Sequence, residues 1–502
     1  MFKELTKVRD FLLNKTEHLG LGINQSQHSS CINIGVAYVV SSVGFSLGFL
    51  GTFKNASESG FFPGAWLVML CSFLINLITP ISLLAERYLL KQPHQRFVRV
   101  LFFPMLWTGL FQLFYRFSGL GDYFSWTTNA TVWSDFGQIA SLGGRPLIEF
   151  TVALFGACLL EVLPANKSVD EYRETEDITE FQGEIEEMPD RVVHPWKAFW
   201  LHPMTLCLVF LAILLSYGGI ATNIQAKSFY QADYPNYVPR KQQVGCVIGS
   251  HNDKHRYNHA EWFDMTESLA ESGSKLVLWS ELTAHVYNKT EEDVLIKKAK
   301  KVAVKHQIYL GITYSVGNPT TVNKLVFITK NGDIGIDYNK AHPVPGAEPQ
   351  AGGPNKLQYV DTEEFGRVGG AICFDYSFTS LIGQASKYKI DLMLQPSWDW
   401  GPIGTYHEQG NMLRNVENGF TRLRCASQSV SGVTEATLNS PFNQRVASLN
   451  NDKLTFYLPL RKRVRTFYGL IGDSFGYICL AIGLSFLLAT FVQRRKEGRV
   501  SL

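Results

Sequence analysis

Val368-Gly-Gly-Ala-Ile-Cys373-Phe-Asp375 is an apolar run that ends in a thiol, and Lys275-Leu-Val-Leu-Trp-Ser-Glu281 is one that ends in a carboxylate. Short, continuously apolar segments of this kind read as strands buried on both faces of a sheet. Working outward, segments 244–248, 308–313 and 325–329 carry the same signature, and 290–306 has helical spacing. Asn331-Gly332 is a hairpin turn signal. A helical stretch at 403–419 precedes a further strand at 421–427. Strands and helices alternating from Gln242 onward, with hairpins inserted, predict a layered α/β sandwich rather than a barrel or an all-β domain.

Outside this globule the composition changes. The mean hydropathy of −0.02 over 502 residues averages two unlike parts. Five runs before the globule approach the roughly 20 apolar residues that cross a bilayer: about 32–53, 61–84, 98–115, 146–163 and 199–221. A sixth, 474–492, follows it and ends in Arg494-Arg495-Lys496. The expected organisation is a multi-span membrane domain at 1–222, a catalytic domain at 223–466, and a final span with a basic tail at 467–502.

Orientation follows the Lys and Arg of the short connections. Lys3, Lys7, Arg9 and Lys15 precede the first span, Arg87, Lys91 and Arg96 follow the second, and Arg494, Arg495, Lys496 and Arg499 follow the last. With six spans all three clusters fall on one side, the cytoplasmic one, and the globule lies across the membrane in a periplasm or secretory lumen. The acidic connection 164–198 weighs little in this rule, because Asp and Glu contribute little to it, and reads as a solvated loop. The sequons at Asn55, Asn129 and Asn288 fall on the far side and that at Asn166 does not, which is weak support.

A net charge of +3 without a dominant basic face argues against a nucleic-acid partner. Of eight cysteines, Cys31, Cys71, Cys158, Cys207 and Cys479 lie in apolar spans, where Cys acts as a small hydrophobe. Cys246, Cys373 and Cys425 belong to the globule, which therefore holds at least one unpaired thiol. Cys246 and Cys425 are either two buried free thiols, the favoured reading, or a disulfide in an oxidising compartment.

Three side chains have chemistry to offer. Cys373 ends its strand where a helix is expected to begin, and a helix N-terminus favours a thiolate. Glu281, at a buried strand end, is placed for desolvation and hence for work as a general base. Lys340, in Tyr338-Asn-Lys340-Ala-His-Pro-Val-Pro-Gly-Ala-Glu348, offers an ammonium that stabilises an oxyanion. Taken singly, each is more often structural: a core cysteine, a cap, a loop lysine.

The ordered set is more specific. Glu281, Lys340 and Cys373 in these contexts resemble the Glu-Lys-Cys motifs of the carbon–nitrogen hydrolase (nitrilase) superfamily, and the flanking spans are most similar to apolipoprotein N-acyltransferases. Phe136-Gly-Gln-Ile-Ala-Ser-Leu-Gly-Gly144, Ser397-Trp-Asp-Trp-Gly-Pro402, the stretch 407–417 and Thr466-Phe-Tyr-Gly-Leu-Ile-Gly-Asp473 also resemble segments of that family. The resemblance implies a nitrilase-type αββα sandwich between transmembrane helices, about five before and one after. It implies Cys373 as nucleophile, Glu281 as base, Lys340 and the Phe374 N–H as oxyanion donors, Glu348 as a second essential glutamate, and Trp400 as an active-site aromatic. The chain departs from the bacterial pattern where Phe374-Asp375 replaces Tyr-Glu, where Val-Pro-Gly-Ala-Glu348 replaces a VPFGE-type loop, and in having fewer spans.

The activity so implied is transfer of an acyl chain from a phospholipid, through a Cys373 thioester, to an amine such as the N-terminal cysteine of a lipid-modified protein. No metal or organic cofactor is expected, since no His/Cys cluster shows ligand spacing. The competing reading is a membrane-tethered amidohydrolase with water as acceptor.

Overall fold

The computed structural model describes residues 25–53, 61–90, 96–162, 200–231, 240–250, 257–317 and 321–500. The acidic connection 164–198 and the sequons at Asn55 and Asn166 lie outside the described residues, while Asn129 and Asn288 are exposed. The chain divides into two compact units, 1–92 and 93–502.

The first unit holds α1 (Gln25–Phe53), α2 (Phe61–Asn76) and α3 (Ile78–Leu90). Tyr38 of α1 donates to the Phe73 carbonyl of α2 at 2.9 Å. The single run expected at 61–84 is interrupted after Asn76. Pro80 explains the break, because its ring clashes with the carbonyl four residues back and it has no N–H to donate.

The second unit opens with α4 (Arg96–Phe117), α5 (Ala140–Leu160) and α6 (Pro203–Gln231). Five helical stretches among the described residues are long and apolar enough to cross a membrane: Met69–Leu90, Arg96–Phe117, Ala140–Leu160, Pro203–Asn223 and Ser474–Lys496. The expected first span, 32–53, falls within α1, whose described part includes the apolar stretch Ile34–Phe49. α5 begins earlier than the run at 146–163 and kinks at Gly144, whose φ of +69° suits a residue without a side chain.

The catalytic-type domain consists of β1 (Lys241–Ile248), α7 (His259–Glu271), β2 (Leu276–Trp279), β3 (Ala284–Val286), α8 (Lys289–His306), β4 (Tyr309–Val316), β5 (Val322–Ile328), β6 (Ile334–Asn339), β7 (Gln358–Thr362), β8 (Gly366–Gly370), β9 (Leu392–Trp398), α9 (Ile403–Asn418), β10 (Thr421–Ser427), β11 (Ser429–Thr434), β12 (Gln444–Ser448) and β13 (Asp452–Pro459). One sheet runs β13-β1-β2-β4-β5-β6, with β3 alongside β4, and the other runs β12-β11-β10-β9-β8-β7. β1, β2 and β4 are parallel, as are β8, β9 and β10. The wholly buried Leu-Val-Leu-Trp of β2 shows why that run carries no polar alternation.

Leu278, Leu325, Phe327, Ile372, Leu394 and Leu423 pack between the sheets. A second core, with Trp262, Leu269, Val302 and Leu310, fills the space between the first sheet and α7 and α8. Cys246 of β1 and Cys425 of β10 form a disulfide across the sandwich. This corrects the expectation of two free thiols: the strands hold the two Cα atoms 5.4 Å apart, within disulfide reach. After β13 the chain reaches α10 (Ser474–Val500), which packs on α4 and α5. Gly109, Gly476 and Gly483 allow the close approach of α4 and α10, since a Cβ at each would collide with the facing helix.

Candidate active site

The groups of interest collect at the C-terminal ends of strands from both sheets, where α/β folds place ligands. Glu281 follows β2, Lys340 follows β6, Cys373 lies beyond β8 and Asp399 follows β9. Gly370 lets β8 approach the first sheet, because a Cβ there would stand 2.6 Å from the Leu325 side chain.

Lys340 is the hub of the first sheet's contribution. Its fully buried Nζ donates to Glu281 Oε1 at 2.8 Å and to both Glu348 oxygens at 2.7 and 2.8 Å. Asn323 Nδ2 adds a second donor to Glu281 Oε1 at 2.8 Å, and the Trp398 backbone N–H donates to Oε2 at 2.9 Å. The Glu281 carboxyl is therefore tied to β5, to β9 and to the lysine.

Burial raises the pKa of Glu281 to about 7; Lys340 opposes this, the Glu348 carboxylate adds to it, and a hydrogen bond with Cys373 pulls it back. Burial also works against the charge of Lys340, but Glu281 and Glu348 outweigh it and keep the amine protonated. A carboxyl near neutrality beside a permanent cation is the combination that general-base and oxyanion chemistry require.

Cys373 starts a five-residue 3₁₀ turn, Cys373–Ser377, and has a φ of +47°. Leu282, Trp400 and Gln428 share this left-handed conformation on neighbouring loops, at a cost of about 1–3 kcal/mol each. The expected thiolate is not found: burial and then the Glu281 carboxylate push the thiol well above its ordinary value, with only Lys340 opposing. A single short turn offers little of the dipole that a full helix supplies. Burial and the neighbouring carboxylates thus favour the neutral thiol of Cys373.

Asp375, fully buried, binds the two catalytic-type segments together. Its Oδ1 accepts from the His342 N–H at 2.8 Å, and its Oδ2 accepts from Tyr338 at 2.8 Å and from the Ile372 N–H at 3.0 Å. The Lys340 loop and the Cys373 turn are thus fixed on one carboxylate. Phe374, next in the turn, has one of the amides that a helical start leaves without an intrahelical partner. Trp400 packs edge-on against Trp398, and it is the Trp398 backbone that reaches Glu281 and the thiol.

The second sheet supplies groups that sequence reasoning passed over. Cys373 Sγ lies 3.5 Å from Asp399 Oδ1, which also accepts from His407 Nδ1 at 2.7 Å. Arg424 and Ser429 hold Asp399 Oδ2. Burial opposes the charge of Asp399, but Arg424 and His407 win and hold it well below the usual carboxylate range. Asp399 and His407 sit in segments that carry the family resemblance, yet nothing in their spacing pairs them. Tyr123, from the connection after α4, packs against Phe374 and His407 with centroids 5.4 and 5.3 Å away. The only sequence signal for it was the aromatic richness of that connection. The basic segment 461–465 is largely engaged: Arg461 pairs with Glu435, Lys462 with Asp391, and Arg463 with the Asn418 carbonyl.

Residues 244–444, about two-fifths of the chain, match the carbon–nitrogen hydrolase family. No curated protein sequence matches the chain. Among solved structures, an amidase from Nesterenkonia sp. AN1, with the acetamide moiety of fluoroacetamide on its active-site cysteine, aligns at 15% identity over 46% of this chain and 94% of its own, with a TM-score of 0.39. The C. elegans NitFhit protein aligns at 22% identity over 44% of this chain and 62% of its own, with a TM-score of 0.36. The chain therefore carries a domain of the carbon–nitrogen hydrolase superfamily beside helices apolar enough to cross a membrane.

Proposed function

From a carbon–nitrogen hydrolase domain accompanied by apolar helices, we propose that the chain is a membrane N-acyltransferase. The observation that carries this reading is the join between the two parts: Tyr123, delivered by the connection after apolar α4, packs on the residue following Cys373. A site whose wall comes from a membrane-type segment suits a lipid-borne acyl donor better than a soluble amide.

Glu281 takes the Cys373 proton as sulfur attacks the ester carbonyl of a phospholipid. Lys340 and the Phe374 N–H stabilise the tetrahedral oxyanion. Glu281 returns the proton to the departing lysophospholipid oxygen, leaving a thioester. An amine then attacks the thioester carbonyl; its proton passes through Glu281 to the sulfur, and an amide leaves. The acceptor in this reading is the α-amino group of a lipid-modified protein. The globule lies on the non-cytoplasmic side, a placement supported by the Lys and Arg distribution and by the disulfide, which belongs to oxidising compartments.

Incubation with labelled phospholipid and candidate amines tests the reaction. An acyl adduct on Cys373 followed by an amide product is the expected result. Free fatty acid alone, with no amide from any amine, assigns the chain to the competing hydrolase reading. Protease added to sealed vesicles of known sidedness tests the topology: cleavage of 223–466 only from the cytoplasmic face reverses it.

A further inference from the structure

Two carboxylates face the Cys373 thiol, and the mechanism above uses only Glu281. The other, Asp399, lies on the second sheet with its Oδ1 3.5 Å from Sγ. Three donors on buried elements fix the Asp399 carboxylate and leave Oδ1 one lone pair for the thiol. His407 of α9 donates to Oδ1 at 2.7 Å, while Arg424 of β10 and Ser429 of β11 hold Oδ2. Asp399, His407 and Arg424 are buried, so water does not screen this charge. Arg424 stands one residue from Cys425, whose disulfide to Cys246 pins β10 against β1 and with it the clamp.

We infer that Asp399 is a positioning residue that anchors the resting Cys373 thiol as a hydrogen-bond donor and keeps it from standing as a free thiolate. The thiolate, and not the thiol, is the species that attacks oxidants and disulfides. A cysteine nucleophile in a domain that holds a disulfide faces such reagents, and a fixed anion beside the sulfur suppresses its reaction with them. The nucleophile is then released only when Glu281 removes the proton as a carbonyl is attacked. The groups facing the sulfur act in sum. Glu281, Glu348 and Asp399 disfavour the thiolate, and Lys340 favours it. His407 and Arg424 act on Asp399, and Tyr123, whose ring packs on Phe374 and His407, also interacts with Cys373.

Asp399 is a poor competitor for the role of base. Its cation, Arg424, is held by nothing else that is anionic among its described hydrogen bonds, whereas Lys340 is divided between two carboxylates. This assignment rests on Cys373 being the nucleophile and is independent of the acceptor. It is tested without substrate.

The test is the pH dependence of Cys373 alkylation by iodoacetamide, read by mass spectrometry of the Cys373 peptide in the full-length, disulfide-intact protein. In this reaction sulfur displaces iodide and the thiol proton goes to buffer. In the wild type the rate should keep rising beyond pH 9. A plateau below pH 7, the mark of a thiolate already formed, overturns the inference. Asp399→Asn removes the charge but keeps the shape, and it should raise the rate at pH 7 by about tenfold and move the profile to lower pH. A profile superimposable on the wild type's assigns the suppression to burial alone and overturns the role of Asp399. Should Asp399→Asn not fold, the infrared S–H band in the wild-type minus Cys373→Ser difference spectrum decides. A band shifted as for a thiol donating to a carboxylate supports the anchor, and a band at the free-thiol position refutes it. Loss of acyl transfer with these thiol results intact would count against the proposed function and leave the anchor standing.

Discussion

Glu281 and Asp399 face one sulfur from two sheets, and burial drives both towards the neutral form, yet they part in opposite directions. Glu281 rises to about 7 and Asp399 falls well below the ordinary range. The difference lies in how cations are shared. Lys340 is divided between Glu281 and Glu348, while Asp399 has the Arg424 guanidinium together with His407 and Ser429. A desolvated carboxylate with half a cation becomes a base that works near neutrality, and one with a whole cation remains a fixed charge. Opposite shifts around a single nucleophile separate the two roles.

The sharpest way to break this picture is at the sulfur itself. Cys373→Ala and Cys373→Ser should abolish turnover and any covalent acyl adduct, as read by intact-protein mass spectrometry. Wild-type activity in either variant removes Cys373 from the chemistry. Cys246→Ser and Cys425→Ser should keep most activity while losing about 2–5 kcal/mol of stability in denaturant unfolding. Equal stability with and without the bridge would show that the sandwich does not depend on it.

The next largest effect belongs to the base. Glu281→Gln should slow acylation about 10²–10⁴-fold in single-turnover measurements of leaving-group release. In the wild type, Glu281 works as the carboxylate, so kcat/KM should rise with pH through an inflection near 7 and the variant should lack that limb. Stability moves the other way. The folded-state pKa of Glu281 lies above its unfolded value of 4.5, so its contribution is fully present below pH 4.5 and is lost as pH rises through about 7. Asp399 is the reverse, favouring the folded state above its unfolded value of 3.8 and losing that contribution as pH falls. Lys340→Arg keeps the charge but spreads it over a planar fork that cannot replace a compact ammonium between two carboxylates. Near-complete loss of activity is expected, and a wild-type rate would make Lys340 a bystander.

How much of this was legible beforehand follows from the range of each interaction. β2 was readable because burial on both faces leaves an uninterrupted apolar run, with Glu281 as the polar residue beyond it. β8 differs from the expected strand ending at Cys373: it spans Gly366–Gly370, includes the half-exposed Arg367 and stops three residues before the thiol. Asn331-Gly332 marked the turn between β5 and β6, where Gly332 has a φ of +88°. The Cys246–Cys425 bridge, whose ends are 179 positions apart, depends on how one sheet lies on the other. The same is true of Arg424 on Asp399 and of Tyr123 on Phe374, which join elements without any shared periodicity. The state of the thiol is not legible locally, because a strand followed by a turn suggests a helix dipole. The charges that decide it come from β2, β6, β9 and the Lys340 loop. The break in the second apolar run was available in principle, since Pro80 stands four residues after Asn76.

The finest test changes neither the base nor the nucleophile. Glu348→Gln removes the second claimant on Lys340, giving Glu281 a cation of its own and an arrangement closer to that of Asp399. Because the Glu348 carboxylate is among the causes that raise Glu281, its removal should lower the Glu281 pKa and move the acid limb of kcat/KM below 7. The variant also replaces one of the two oxygens that accept from the ammonium at 2.7 and 2.8 Å with an NH2 that cannot accept, so the plateau rate should fall as well. The two effects are separable, since rate is read at the plateau and pKa at the inflection. An unmoved inflection would mean that burial alone sets the Glu281 acidity, and the contrast with Asp399 would then need a cause other than the sharing of cations. A downward shift, even in a slow enzyme, would tie the base's working pH to the division of one lysine between two glutamates.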